Sequence, residues 1–149
     1  MSRASRDKGN RWERDLAAYL RDVLNVDVRT SRDGRGGAQG GADFQWCDGD
    51  GRWWPGVRGV TIEAKDVTSL SVPAWLDQAR RDAVGTGCSW WVVVHKFRGR
   101  PVGRARVYLP AGMLTDYLEH GDPLAGAVRG LSSADWVDMS LDAFVEVWW

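Results

Sequence analysis

The sequence predicts a single domain of the α/β class, with helices on either side of a central β-sheet. The chain has 149 residues, which is the size of one ordinary domain and enough to bury a core without disulfides. Residues 6–24 and 72–84 repeat apolar side chains at helical spacing. Residues 88–95 form a near-continuous apolar run, which is typical of a central strand covered on both faces.

Four helices and six strands follow from these patterns and from the turn signals between them. The helices are expected over residues 6–24, 72–84, 111–120 and 141–148. The strands are expected over residues 26–30, 42–46, 58–65, 88–95, 105–109 and 134–139, the last at an edge. Ser5 and Asn25 are the expected start and stop of the first helix, and Ser140 the expected cap of the last.

Glu63-Ala64-Lys65 ends the third predicted strand. Because successive side chains of a strand alternate between its faces, Glu63 and Lys65 share one face, and Val60, Ile62 and Ala64 share the other. The apolar face is expected to be buried. A carboxylate and an ammonium are then left side by side on the opposite surface.

Asp43 lies twenty positions before Glu63. The turn signal Asp48-Gly49-Asp50-Gly51 predicts an antiparallel hairpin between the strands over 42–46 and 58–65, in which cross-strand neighbours approach within about 5 Å. Two carboxylates so placed can hold a hard divalent cation beside the ammonium of Lys65. The pattern suits metal-assisted hydrolysis of a phosphodiester, whereas the turn lacks the remaining ligands of a calcium-binding EF-hand loop.

Glu13 lies at the edge of the apolar face of the first helix, three positions before Leu16. In this position its carboxylate can face a cleft. An ion pair near the helix surface, with Lys8 or Arg14, is the alternative that helix geometry leaves open.

The segment over residues 31–41 contains five glycines and the two arginines Arg32 and Arg35. It cannot form a core but can follow a phosphate backbone closely; a plain linker is the alternative. It lacks the glycine spacing of a P-loop or a dinucleotide-binding fingerprint.

The formal net charge is zero, but the charges are segregated along the chain. Residues 1–36 hold nine Lys/Arg against six Asp/Glu, residues 80–106 seven against one, and residues 107–149 one against seven. The two basic blocks are candidates for a phosphate-facing surface. The neutral total weakens non-specific binding to nucleic acid without excluding it.

The two cysteines, Cys47 and Cys88, have no CxxC or Cys/His spacing, and the N-terminus carries no apolar signal region. No run approaches the roughly 18 apolar residues of a membrane span. We therefore expect a cytoplasmic setting and no residence in a membrane.

Ten tryptophans are more than a domain of this size usually carries. Most are expected in the core, and the others can stack on bases or form a dimer contact. The pairs Trp53-Trp54, Trp90-Trp91 and Trp148-Trp149 cannot all point inward if they lie in strands, so an exposed tryptophan surface is expected.

The order of these elements resembles the PD-(D/E)XK nuclease superfamily, and within it the archaeal-type Holliday junction resolvases and their phage-encoded relatives. The resemblance covers about residues 8–97. Lys8-Gly9-Asn10-Arg11-Trp12-Glu13-Arg14 resembles the opening helix of that family, Gly41-Ala42-Asp43 takes the place of its Pro-Asp, with alanine for proline, and Glu63-Ala64-Lys65 takes the place of its Glu-x-Lys.

The resemblance implies a restriction-endonuclease-like core, with a central mixed β-sheet flanked by helices. One nuclease domain would span residues 1–149, with its core at about 6–109 and a helical and edge-strand extension over 110–149. It implies that Asp43, Glu63 and the backbone carbonyl of Ala64 hold Mg²⁺, which Mn²⁺ can replace. Lys65 then positions or activates the attacking water, and Glu13 completes the site as a further possible metal ligand.

Two more positions carry an implied role. Ser31 falls close to where such resolvases place a serine near the scissile phosphate, and Gln78 falls on the helix where many superfamily members keep a glutamine. The basic side chains expected to contact DNA are Lys8, Arg11, Arg14, Arg32 and Arg35.

The expected activity is Mg²⁺-dependent cleavage of four-way DNA junctions by a homodimer, whose two sites cut two strands symmetrically. If the protein is phage-encoded, the setting is the host cytoplasm. Two alternatives stay open: another nuclease of the same superfamily, such as a restriction-like, nicking or repair enzyme, and a catalytically idle DNA-binding domain of the same fold.

Overall fold

A mixed four-stranded sheet and a separate three-stranded antiparallel sheet form the β-structure of the computed structural model, which describes residues 2–33, 43–121 and 131–149. The helices are α1 (Arg3–Leu24), α2 (Val72–Thr86), α3 (Ala111–His120) and α4 (Leu141–Trp148). The strands are β1 (Val28–Thr30), β2 (Phe44–Cys47), β3 (Trp53–Pro55), β4 (Val60–Lys65), β5 (Trp90–His95), β6 (Arg106–Pro110) and β7 (Trp136–Ser140). The α/β class and the single domain are confirmed, but the strands are divided between two sheets.

The four-stranded sheet has the order β4-β5-β6-β7, in which β4 and β5 are parallel. Parallel neighbours need a crossover connection, and α2 provides it. β6 and β7 are added antiparallel, with β7 at the edge as predicted. Residues 90–94 of β5 are all buried, which confirms that the apolar run is a central strand covered on both faces.

The predicted hairpin is wrong in its second strand, because β2 pairs with β3 and not with β4. The cause is local. Asp48 accepts hydrogen bonds from the backbone N–H groups of Asp50 and Arg52, both at 2.9 Å, so the chain reverses at once. The first extended segment after this turn, which is β3, becomes the partner of β2, and β1 pairs with the other side of β2.

A second reversal separates β3 from β4 and directs β4 into the other sheet. Gly56, Arg58 and Gly59 have positive φ angles of 73°, 47° and 81°. The backbone N–H of Gly56 donates to the carbonyl of Phe44 at 2.8 Å, which ties this reversal to β2. Glycine adopts the left-handed region at low cost. The glycines of this reversal therefore determine where β4 begins.

Helix α1 packs against β1 and β4. It begins earlier than predicted, because Ser2 is the N-cap and accepts a hydrogen bond from the backbone N–H of Ser5 at 3.2 Å. It ends at Asn25 as predicted, in the left-handed conformation that closes a helix. The indole N–H of Trp12 donates to the carbonyl of Val94 at 3.4 Å and holds α1 on the four-stranded sheet.

Helix α2 covers the face of the four-stranded sheet that carries Glu63 and Lys65. The rings of Trp75 in α2 and His95 in β5 lie 5.2 Å apart, and His95 is the register partner of Lys65. Register partners on neighbouring strands share a face, so Lys65 and Glu63 lie on the α2 side. The predicted apolar stripe of α2 is buried; it comprises Val72, Leu76, Ala79 and Ala83.

Helix α4 is joined to two other helices. The hydroxyl of Tyr19 in α1 donates to Asp142, and the hydroxyl of Tyr117 in α3 donates to the carbonyl of Val147 at 2.9 Å. Ser140 caps α4 as predicted, accepting a backbone N–H three residues further on. β7 and α4 are therefore parts of the main sheet and its packing.

The tryptophans divide between core and surface. Trp90 and Trp91 point to opposite faces of β5, and both are buried because other elements pack against each face. Trp54 is 44% exposed, so the expected exposed tryptophan surface includes the β2–β3 hairpin.

Among the residues described, none of the helices combines the length and the apolar character that crossing a bilayer requires.

Two glycines of the second reversal predict a difference in stability. A methyl group at Gly56 would lie 2.5 Å from the carbonyl oxygen of Val60, whereas one at Gly59 meets nothing within 4 Å. Both substitutions carry the left-handed penalty of roughly 1–2 kcal/mol, and only Gly56→Ala adds a backbone clash. We expect Gly56→Ala to lower the free energy of unfolding by about 3 kcal/mol and Gly59→Ala by about 1 kcal/mol in urea denaturation. Equal losses would contradict a close approach of β3 and β4 at Gly56.

Candidate active site

Three of the predicted site residues meet where β2 begins and β4 ends. Asp43 directly precedes β2, and its Oδ2 accepts a hydrogen bond from the backbone N–H of Ala64 at 2.9 Å. Glu63 and Lys65 flank Ala64 in β4. This hydrogen bond crosses from one sheet to the other, so Asp43 lies beside the Glu63-Lys65 pair although β2 and β4 do not pair.

Glu63 and Lys65 form an ion pair in a shielded position. The Nζ of Lys65 lies 3.1 Å from Oε1 of Glu63, and the two side chains are 21% and 6% exposed. The expectation that this face of β4 is a free surface is wrong, because α2 covers it; Thr61, which shares the face, is also buried. The ammonium is the more accessible partner.

Glu13 of α1 joins the cluster from a third element. It is buried, and its Oε2 lies 3.5 Å from the Nε of Arg32. The ion pair that forms is thus with the segment after β1, not with Lys8 or Arg14. Burial raises the pKa of Glu13; the charge of Glu63 adds to this rise, and Arg32 opposes it.

Burial also raises the pKa values of Asp43 and Glu63, each to about 7. At Asp43 the hydrogen bond from Ala64 opposes the rise, and the charge of Glu13 adds to it. At Glu63 the charge of Asp43 adds to the rise, and Lys65 opposes it. The carboxyl groups therefore hold protons near neutral pH that a bound cation would have to displace.

Asp82 on α2 is a fourth carboxylate of the cluster, and sequence reasoning missed it. Its carboxyl group lies within hydrogen-bonding reach of that of Glu63, and burial raises its pKa. Its Oδ2 is buried, with no hydrogen-bond partner in residues 2–33, 43–121 and 131–149. The sequence feature that could have identified Asp82 is its position next to Ala83, at the edge of the buried apolar stripe of α2.

Ser31 and Gln78 lie in different surroundings. Ser31 is buried, and its backbone N–H donates to the carbonyl of Asp43 at 2.8 Å, which places it next to the cluster. Gln78 is exposed. Asp82, one turn further along α2, is the residue of this helix that lies beside Glu63.

Most of the basic side chains expected to contact DNA are engaged by carboxylates. Arg11 is exposed. Arg35 and the glycine-rich segment from residue 34 to residue 41 lie outside the described residues. Three others form ion pairs: Lys8 with Asp66, Arg14 with Asp33, and Arg32 with Glu13.

Asp66 directly follows Lys65 and forms ion pairs with three basic side chains at the edge of the cluster. Its side chain is 1% exposed and lies 3.8 Å from Nζ of Lys8, 3.9 Å from Nζ of Lys96 and 3.5 Å from Nη2 of Arg98. One carboxylate cannot neutralise three cations. Positive charge is therefore in excess around Asp66.

The cluster has the chemistry of a site for a hard divalent cation. Carboxylate and carbonyl oxygens are the ligands that Mg²⁺ prefers, and Asp43, Glu63 and the carbonyl of Ala64 supply them. Across the described ranges, no group of three or more His, Cys, Asp or Glu side chains stands in an arrangement that holds a metal ion. The donor types still fit, because the carboxylates repel one another and the buried Oδ2 of Asp82 has no hydrogen-bond donor.

Comparison of the chain with protein-family models, with curated proteins and with solved structures finds no match. The function of the cluster must therefore be inferred from the positions and the chemistry of its own residues.

The stability of the metal-free protein is expected to fall as the pH rises from about 4 to about 7. The folded-state pKa values of Asp43 and Glu63 are raised to about 7, so in this window the folded protein holds protons that the unfolded chain has released. Raising the pH then favours unfolding, and the effect levels off above about pH 7. Urea denaturation across this range in the presence of a chelator measures it.

The reference for this measurement is the double variant Asp43→Asn, Glu63→Gln, which keeps the size of both groups but removes their titration. Between the two ends of the window, the unfolding free energy of the wild type should fall by several kcal/mol more than that of the variant, because raising one pKa by one unit changes the free energy by about 1.4 kcal/mol. Parallel pH profiles of the two proteins would show that the carboxyl groups titrate normally.

Proposed function

We propose that this chain is a metal-dependent endonuclease that hydrolyses phosphodiester bonds of DNA. The hydrogen bond from Ala64 to Asp43 carries the proposal, because it brings an aspartate of one sheet next to the Glu63-Lys65 pair of the other. The PD-(D/E)XK motif requires an aspartate beside a glutamate and a lysine in this way. Buried carboxylates beside one another destabilise a fold, and a catalytic role accounts for their presence.

The reaction is attack of a water molecule on phosphorus. The bond from phosphorus to one ester oxygen breaks, that oxygen takes up a proton, and the products are a phosphate monoester and a hydroxyl group. Lys65 is more accessible than its partner Glu63, so its ammonium can orient the water or stabilise the charge that develops on the phosphoryl oxygens. Glu13 holds Arg32 near the cluster, where the guanidinium can contact a phosphate.

Asp43, Glu63 and the carbonyl of Ala64 would hold the metal ion, with Glu13 and Asp82 beside them. A bound Mg²⁺, or Mn²⁺ in its place, would make the attacking water more acidic and would offset negative charge on the phosphoryl group. The shielded position of Glu63 strengthens these electrostatic effects relative to bulk water.

The proposed substrate is a four-way DNA junction, and the proposed active form is a homodimer with two sites for two strands. The support is the resemblance of residues 8–97 to the junction resolvases. Three cations share the one carboxylate of Asp66, and this excess of positive charge favours a polyanionic substrate in general. Nucleases for linear, nicked or flapped DNA and an idle DNA-binding domain are the alternatives.

The wild-type protein is expected to cleave a labelled four-way junction in the presence of Mg²⁺. Asp43→Asn and Lys65→Ala should each lower the single-turnover rate by about 100-fold or more, because one removes a metal ligand and the other the positive charge beside the phosphate. Gel analysis of the cleaved strands measures the rate. Fluorescence anisotropy in EDTA checks that both variants still bind the junction.

Arg52→Ala is the control for this experiment, since Arg52 is an exposed arginine in the β2–β3 turn and outside the cluster. Cleavage by Asp43→Asn at the wild-type rate would refute the proposed site. Binding without cleavage by the wild type would identify an idle domain. Faster cleavage of linear duplex or flap DNA would identify a nuclease of different substrate.

Asp82→Asn is expected to lower the cleavage rate by about tenfold and to raise the Mg²⁺ concentration needed for half-maximal rate. Its carboxyl group lies next to Glu63, whereas Gln78 is exposed. Gln78→Ala is the comparison on the same helix and should have the smaller effect. The reverse order would assign the functional position on α2 to Gln78.

A further inference from the structure

A basic groove lies past the ends of β4 and β5, beside the candidate active site. It consists of two adjoining cavities of about 420 Å³ and 270 Å³, which share the side chains of Phe97 and Arg106. We name it the Phe97 groove. Its functional residues are Lys96, Phe97, Arg98, Arg100, Arg104 and Arg106.

Positive charge dominates the Phe97 groove. Five of its residues are cationic, and two carboxylates pair with them: Asp66 with Lys96 and Arg98, and Asp138 with Arg106. In the part of the chain that the structure describes, no ion pair engages Arg100 or Arg104. Both side chains are exposed. The groove therefore favours a polyanion.

An aromatic ring lies among these cations. Phe97 is 46% exposed, and the guanidinium carbon of Arg100 is 5.8 Å from its ring centroid. Val67 and Leu70, which line the larger cavity, are exposed as well. A surface that contacted phosphates alone would not need an exposed ring, whereas nucleic-acid bases stack on such rings whatever their sequence.

The groove begins one strand away from Lys65, the lysine of the candidate active site. The backbone N–H of Lys96 donates to the carbonyl of Lys65 at 2.9 Å. Asp66, the residue after Lys65, pairs with Lys96 and Arg98. A strand bound in the groove would therefore lie near Lys65.

We propose that the Phe97 groove binds an unpaired segment of DNA, with backbone phosphates on Arg100 and Arg104 and a base stacked on Phe97. The inference rests on the proposed function for the identity of the polymer. It goes further by assigning a second contact surface and a preference for unpaired bases. A duplex offers the same phosphates but keeps its bases stacked on each other, so Phe97 selects a strand whose bases are free.

The test is fluorescence anisotropy with a labelled oligothymidylate of about 12 nucleotides and a duplex of equal length. EDTA is present throughout, so that cleavage plays no part. We expect the single strand to bind more tightly than the duplex. Phe97→Ala should weaken single-strand binding about tenfold, and Phe97→Leu should weaken it equally because the ring is lost, while duplex binding stays unchanged.

The double variant Arg100→Ala, Arg104→Ala tests the phosphate contacts. It should weaken binding of both probes and reduce the salt slope of log K for the single strand by about 1.4, since each lost phosphate contact removes about 0.7. Arg52→Ala is the matched control, an exposed arginine on the β2–β3 hairpin. It should bind as the wild type does.

Unchanged single-strand binding by Phe97→Ala would overturn the proposal. It would also be overturned if a polyglutamate of equal charge displaced the labelled single strand as well as unlabelled oligothymidylate does. Because no metal is needed, failure of the wild type to cleave a junction would overturn the proposed function and leave the groove standing. Junction cleavage together with wild-type oligonucleotide binding by both groove variants would overturn the groove alone.

Discussion

One hydrogen bond, from the backbone N–H of Ala64 to the carboxylate of Asp43, connects the two sheets at the point where the carboxylates gather. In the described residues β4 has a ladder partner, β5, on one side only, so backbone donors on its other side need partners from elsewhere. Asp43 supplies one of them. The same contact holds the carboxylate of Asp43 next to Glu63. One hydrogen bond therefore both provides a partner at the edge of the sheet and brings the cluster together.

The cluster stores electrostatic free energy, and nearby cations limit the cost. Burial and mutual repulsion raise the pKa values of Asp43 and Glu63. Lys65 and Arg32 offset part of this cost through their pairs with Glu63 and Glu13. A core made only for stability would place apolar groups here, because replacing a buried ion pair by well-packed apolar residues is often stabilising.

The sequence predicted β5 and the buried stripe of α2 because their composition and spacing leave few alternatives. Strand alternation also placed Glu63 and Lys65 on one face. The proximity of Asp43 was predicted from a hairpin that does not form: the turn at Asp48 selects the nearest extended segment, and the contact with β4 is a tertiary one that no local rule gives. Asp82 was missed because its place beside Glu63 depends on how α2 packs over β4.

Helix α4 contributes no group to the cluster or to the groove, yet it contacts the supports of both. Through Asp142 it receives the hydroxyl of Tyr19 on α1, the helix that carries Glu13. The same carboxylate lies against Gly103, in the turn that carries Arg104, where a β-carbon would overlap it. One surface residue thus contacts both the helix that carries Glu13 and the turn that carries Arg104, so a substitution at Asp142 would reach both regions from outside them.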